Sequence, residues 1–408
     1  MPHYTCAGRI PSKRHIQFRQ PSGQHYHEEV FGTEGFAGPT STLYHLHPPT
    51  QVAAWKPLRS AAPEFIESNI LRMRHLRTHA RPAGGDPIDG RAVLFGNSDV
   101  LISHCAPTEG MDYHYRNGQG DECLFIEQGS GQLHTSFGTV EYRQHDLVVI
   151  PRGTTYRMVP DRLESPLSPA HPYGRFLCIE TVNGSHILPP PRYLAKKTSQ
   201  FLEHAPYCER DIRTPIAPEP NEALGSHEVR IKAMNWIHTY EFPNHPLDVV
   251  GWDGCLYPFA FNVHDFAPIV GALHMPPPIH QVFESHNMVI CAFCPRILDF
   301  HPQAVRVPYN HFNIDSDEVM FYVEGTYTAR KGIDKGSMTL HPHGIAHGPH
   351  PGTLDGTLSQ HATDELAIMC DTFQPLVPAK AALEMDDTHY PESWHAASRE
   401  RIRDLAGV

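Results

Sequence analysis

The segment "NHFNIDSDEVMFYVEG", Asn310 to Gly325, sets His311, Asn313 and three acids directly before a run in which Val319, Phe321 and Val323 alternate with Met320, Tyr322 and Glu324. The alternation predicts a β-strand ended by Gly325. Packing alone does not require the polar cluster at its mouth. An imidazole and a carboxylate held there are ligand types for a divalent metal ion. A second segment, "GSMTLHPHGIAHGPHPG", contributes Pro342, Gly344 and His347. Histidine is abundant, at 31 residues. That abundance favours metal chemistry, although any single histidine is more often a packed or solvated residue.

Such residues need rigid elements to hold them. A chain of 408 residues can build two sizeable cores. With 39 prolines and 30 glycines, short apolar runs broken by turn residues dominate. The pattern predicts a mainly β protein with long loops and short helices. Gly120 to Met158 reads as a β-meander, and a second β-rich block runs from Val229 to Thr372. Between them "TPIAPEPNEALG" reads as a linker near residues 212–225, which gives expected domains of 1–215 and 216–408. The end of the chain, "ESWHAASRERIRDLA", reads as an amphipathic helix.

The two β blocks resemble each other. "DECLFIEQG" aligns with "DEVMFYVEG", matching Asp121 with Asp317, Glu122 with Glu318, Phe125 with Phe321 and Gly129 with Gly325. "LVVIPRGTTY" aligns with "MTLHPHGIAH", matching Pro151 with Pro342, Gly153 with Gly344 and Tyr156 with His347. Two matches in the same order point to an internal duplication.

The C-terminal copy resembles the two motifs of the cupin superfamily: His, a spacer, His or Asn, Glu and Gly in the first, and Gly, five residues, Pro-x-Gly, two residues and His in the second. His311, Asn313, Glu318 and Gly325 meet the first; Gly336, Pro342, Gly344 and His347 meet the second. The resemblance implies a bicupin, two β-barrel (jelly-roll) domains, with these residues pointing into the second barrel. Two imidazoles and a carboxylate form a facial triad that leaves positions open for substrate and dioxygen, the arrangement of non-haem iron(II) oxygenases. The expected ligands are His311, Glu318 and His347, with Asp317 as a competitor for the carboxylate place. In the N-terminal copy Tyr156 replaces the second-motif histidine, so that barrel is expected to have lost the metal and to be structural.

The formal charge of −12 argues against nucleic acid and against a basic membrane patch. Nine scattered cysteines, only Cys291 and Cys294 as CxxC, read as buried free thiols in a reducing compartment. The N-terminus has no apolar signal core, and no apolar run approaches transmembrane length. A soluble, cytoplasmic protein is expected.

Beyond the cupin motifs, "IPSKRHIQFRQPSGQHYHEEVFGTEGF", "LYHLHPPT", "LDVVGWDGCLYPFAFNVHDFAPI", "LHMPPPIHQVFE" and "FCPR" resemble the homogentisate 1,2-dioxygenase family, especially its shorter bacterial forms. The likeness covers most of the chain and is densest from Leu247 to Pro351. It implies an iron(II)-dependent, ring-cleaving dioxygenase that converts homogentisate and O2 to maleylacetoacetate in tyrosine and phenylalanine breakdown, and a homo-oligomer, trimer or hexamer. Carried over residue by residue, it implies His311, Glu318 and His347 as iron ligands, His274 as acid/base, and His341 and Tyr327 as substrate-pocket residues. Arg306, at the family's spacing before His311, would hold the acetate arm or else make a structural ion pair. His350 stands where longer forms have an acid, and one extra residue separates His311 from Glu318. Gentisate or another hydroquinone acid is the nearest alternative substrate. A non-catalytic ligand-binding bicupin and a cupin isomerase or other metal enzyme are the alternatives of other classes.

Overall fold

The computed structural model describes residues 3–67, 70–161, 172–327, 329–330 and 332–394. The C-terminal amphipathic helix expected from sequence lies almost wholly outside the described residues. The chain forms two compact units: residues 1–63, 83–92 and 101–265 make the first, and residues 64–82, 93–100 and 266–408 the second. Both are built mainly from antiparallel sheet; among the described residues the helical elements are short, the two α-helices being Leu354–Thr357 and Lys380–Leu383. No helix among the described residues is long and apolar enough to cross a membrane. None of the nine cysteines is in a disulfide; six are buried, Cys291 and Cys294 among them, and Cys6 is exposed.

In the first unit, a seven-stranded sheet faces a second sheet across one core. The strands Glu122–Gln128, Asp146–Ile150 and Arg175–Thr181 of one sheet send in Leu124, Ile126, Val148, Ile150, Phe176 and Cys178. Strands His114–Asn117, Gly131–Thr135 and Thr155–Pro160 of the other answer with Tyr115, Leu133, Tyr156 and Met158. Each inward side chain is followed by an outward one, as the two-residue period of a strand requires.

The domain boundary expected at residue 215 is displaced to about residue 265. The proline-rich stretch taken for a linker is sheet-bound instead. Ile212 and Arg213 pair with Phe261 and Ala260, and Ile216 bridges to Thr139. The hairpin Leu224–Ala233 and Trp236–Asn244 then joins the seven-stranded sheet by parallel pairing of Val229 with His114. Proline composition marked an irregular edge here, not a break between cores.

The second unit is built on a six-stranded antiparallel sheet. Strand Asp317–Glu324 lies at its centre, between Leu366–Thr372 and Ser337–His341. The alternating apolar run read from sequence is this strand, with Val319, Phe321 and Val323 buried.

Candidate metal centre

Glu318 is the second residue of its strand, so its side chain and that of Asp317 leave on opposite faces. Asp317 is fully used on its own face. Its Oδ1 accepts the His343 backbone N–H at 2.8 Å and meets the His343 ring at 2.7 Å, while Oδ2 accepts the Leu376 N–H at 2.7 Å. Glu318 is therefore the carboxylate that meets the histidines.

His311 and His347 are joined through their backbones. Each N–H donates to the other's carbonyl, at 2.8 and 2.9 Å, forming an isolated antiparallel bridge that holds the two rings 4.2 Å apart. The Nδ1 atoms of His311 and His347 lie 3.2 Å from the carbonyls of Tyr309 and Ile345. A carbonyl only accepts, so Nδ1 carries the proton and Nε2 presents its lone pair. Both Nε2 atoms stand 3.8 Å from Glu318 Oε2. The ligand atoms of all three residues lie within 4.8 Å of one another, a gap that an ion with bonds of about 2.1 Å spans. The Nε2 of His347 is buried with no hydrogen-bond partner. A buried orphan lone pair beside an ionised carboxylate fits a divalent cation.

His341 backs this group. It is the register partner of Glu318 on the adjacent strand, is fully buried, and places Nδ1 2.7 Å from Glu318 Oε1. Its Nε2 faces the Tyr390 hydroxyl at 3.4 Å. Burial, and then Arg330, lowers its pKa to about 4, so the neutral ring donates to Oε1 and leaves Oε2 for a metal. Burial alone would raise the Glu318 pKa, but the surrounding His311, His341 and His347 hold it well below the usual carboxylate range. The sequence reading put His341 on the substrate wall; the structure places it behind Glu318, because the strand register delivers it there.

A cavity of about 300 Å³ opens on the group, lined among others by His274, Asn313, Tyr322, Tyr327, Arg330 and Asp371. His274 stands at its exposed mouth, with its ring 4.8 Å from that of Tyr309 and Nδ1 3.6 Å from Asp299. Tyr327 lines the cavity with its ring, since its hydroxyl is committed to the Leu366 carbonyl at 2.9 Å. Arg306 is not among the lining residues. Its guanidinium donates to the carbonyls of Asp299, at 3.1 Å, and Leu358, so in this structure it holds backbone and does not face the cavity. The arginines that do line the cavity are Arg296 and Arg330. Arg296 is committed to Glu365 at 2.9 Å and to the Cys294 carbonyl at 3.0 Å. Arg330 lies over the Trp394 ring at 5.4 Å, donates to the Gly348 carbonyl, and has no carboxylate partner among the described residues.

Asp371 is a second site residue that the motifs did not show. It pairs with Glu318 from the other neighbouring strand. Its Oδ1 is buried without a partner. Burial, with Glu318 nearby, holds its pKa well above the usual range. A signal existed: "CIET" and "IMCDT" match Glu180 with Asp371, a third repeat after the two already noted.

Residues 40–263 match the family model described as homogentisate 1,2-dioxygenase N-terminal, and residues 272–401 match its C-terminal counterpart. The chain belongs to the homogentisate 1,2-dioxygenase family. A protein of Saccharolobus solfataricus named as a candidate dioxygenase is 36% identical over 97% of this chain and 100% of its own length. Homogentisate 1,2-dioxygenase of Pseudomonas entomophila is 29% identical over 83% of this chain and 78% of its own. That of Bradyrhizobium diazoefficiens is 28% identical over 72% of this chain, and the match spans 62% of the relative's length. The boundary between the two family models falls where the two compact units part, near residue 265.

Proposed function

We propose that this member of the homogentisate 1,2-dioxygenase family is an iron(II) enzyme that opens the ring of homogentisate with O2 to give maleylacetoacetate. The observation that carries the reading is the Nε2 atom of His347, buried and unpaired beside Glu318 Oε2, with His311 and Glu318 lining the cavity in front of it. Iron(II) held by His311, Glu318 and His347 would lower the pKa of a bound phenol and bring it together with dioxygen.

This chain's own residues do the rest. His274, exposed at the mouth, takes the phenol proton and passes it to solvent. Arg330, with guanidinium donors not claimed by any carboxylate among the described residues, anchors the acetate arm. Asp371, protonated, donates a hydrogen bond to the ring's second hydroxyl. Tyr309, Tyr322 and Tyr327 wall the aromatic ring and exclude water. The reading carries with it a cytoplasmic enzyme of tyrosine and phenylalanine breakdown, assembled as a trimer or hexamer.

The test is oxygen uptake by protein loaded anaerobically with iron(II), followed together with maleylacetoacetate absorbance. Matched uptake and product with homogentisate is expected. Uptake with gentisate or plain hydroquinone but not homogentisate would overturn the substrate. No uptake with any hydroquinone, despite bound iron, would overturn the chemistry.

A further inference from the structure

The outer face of the first unit's seven-stranded sheet carries a row of nitrogen-bearing side chains. Strand alternation buries Tyr115, Leu133, Tyr156 and Met158 in the core and sends His114, His134 and Arg157 to the opposite face. Register sets His134 directly across from Arg157. His114 lies one step beyond the Tyr115–Tyr156 pair on the next strand. His245 and His227 close the row: ring centroids are 5.0 Å apart from His114 to His245 and 5.0 Å from His245 to His227. A cavity of about 560 Å³ opens over His114, His134, His245 and Arg157, with Gln132 and Thr139 beside them and the exposed Glu219 also among its lining residues.

Two polar groups here lack partners. The Nε of Arg157 is buried with no hydrogen-bond acceptor, and its guanidinium makes no ion pair among the described residues. His114 is only 8% exposed, and no described residue hydrogen-bonds its ring. A buried donor left this way bears the whole cost of its desolvation, unless a ligand supplies the acceptor. His245 accepts the Leu247 N–H at Nδ1, 3.1 Å, which puts its proton on Nε2 and makes that atom a further donor.

The donor set selects an anion over a cation. The three clustered rings do not bring three nitrogens within 4.8 Å of one another, and Arg157 beside them repels a metal ion. Burial, followed by the neighbouring rings and Arg157, depresses the pKa of His114 to about 3 and that of His245 to about 4. Both rings are neutral donors near pH 7, and Arg157 carries the positive charge. On a chain of net charge −12, attraction for an anion at this place is local and not a property of the whole surface.

We propose that this cavity binds a small oxyanion, a carboxylate or a phosphate-type group, with Arg157 supplying the charge and His114 and His245 the additional hydrogen bonds, while His134 is held by the Gln132 side-chain oxygen at 3.0 Å. The site is independent of the candidate metal centre and of the reaction assigned to it.

Calorimetric titration of the full chain tests this, using sodium sulfate in one arm and sodium malonate in the other at constant ionic strength. Saturable binding of one anion per chain is expected in at least one arm. Sulfate alone would identify a phosphate-type ligand, malonate alone a carboxylate, and both a general oxyanion site. Arg157→Met is expected to weaken binding about tenfold or more. If that variant does not fold, His114→Gln and His245→Gln, which keep the charge, are each expected to weaken it severalfold. Absence of saturable heat from both probes through the millimolar range would overturn the proposal, as would unchanged affinity in the variants.

Discussion

Where the second unit carries His311, Glu318 and His347, the first carries Tyr115, Glu122 and Tyr156 at matching strand positions. The frameworks correspond in register. Glu318 lies between His341 and Asp371 on its two neighbouring strands, and Glu122 between Ile150 and Glu180. His311 bridges His347 as Tyr115 pairs with Tyr156. Both units therefore bury a carboxylate at the same place, and a buried carboxylate needs a positive partner. In the first unit that partner is a side chain of the protein itself. Arg91 reaches Glu122 at 2.6 Å and Tyr156 at 3.1 Å, over the ring of Tyr115 at 5.9 Å. Tyr156 donates to the other Glu122 oxygen at 2.5 Å, and Asn117 donates to both Glu122 and Glu180. Lys232 neutralises Glu180. The second unit instead leaves the imidazole lone pairs of His311 and His347 facing Glu318, at the place proposed for a metal ion. In the first unit a guanidinium thus occupies the place that the proposal gives to a metal ion in the second.

The largest expected effects separate the two carboxylates. Glu318→Gln should abolish stoichiometric iron and cut kcat/KM by at least about a thousandfold, the scale of losing a charged group that acts only through the metal and transition state. Glu122→Gln should keep iron and activity per folded molecule. Metal analysis beside oxygen uptake reads both, and loss of iron from Glu122→Gln would break the comparison.

Arg91→Met should destabilise the protein by about 3–5 kcal/mol, because it leaves Glu122 buried and uncompensated; the urea midpoint measures this, with iron content unchanged. Combining Arg91→Ala with Tyr115→His and Tyr156→His sharpens the comparison further. If guanidinium and metal are interchangeable solutions, that triple variant takes up a second equivalent of divalent metal, read by calorimetry or by the visible spectrum of its cobalt form.

Within the second unit, Arg330→Met should raise KM for homogentisate about tenfold or more while leaving that for plain hydroquinone unchanged, since only the first has a carboxylate to anchor. Arg306→Met should leave this ratio alone. The smallest effect is acid sensitivity. Burial would raise the Glu122 pKa, but Arg91 outweighs it and holds the folded value below the ordinary one. Its stabilisation is complete above the unfolded carboxylate value of about 4.3 and is lost as pH falls through the lower folded value. The stability gap between wild type and Glu122→Gln should therefore narrow below about pH 4.3, seen in urea unfolding at two pH values.

The contrast also explains what could be read in advance. The meeting of His311, Glu318 and His347 was legible because side chains that converge from neighbouring segments of a sheet stand at spacings that turns and strand lengths constrain. The choice of Glu318 over Asp317 follows from alternation once the strand's inner face is known. Arg91 was not legible: it precedes Glu122 by a long interval and has no counterpart in the repeat. Arg330 carried no signal in the sequence: spacing to a ligand pointed to Arg306, and a place in the cavity wall is set by the fold of the chain after Gly325. The boundary was misplaced because proline and glycine mark irregular backbone equally well at a sheet edge and between domains.

The paired backbone hydrogen bonds between His311 and His347 have a consequence for metal exchange. They close the loop from 311 to 347 without help from the ion, so the entropy of bringing the two ligands together is already spent when the ion leaves. The emptied centre should stay organised. Iron removed by a chelator should return at a rate set by its entry through the cavity, with no refolding phase, and the enzyme should survive repeated cycles of stripping and reloading.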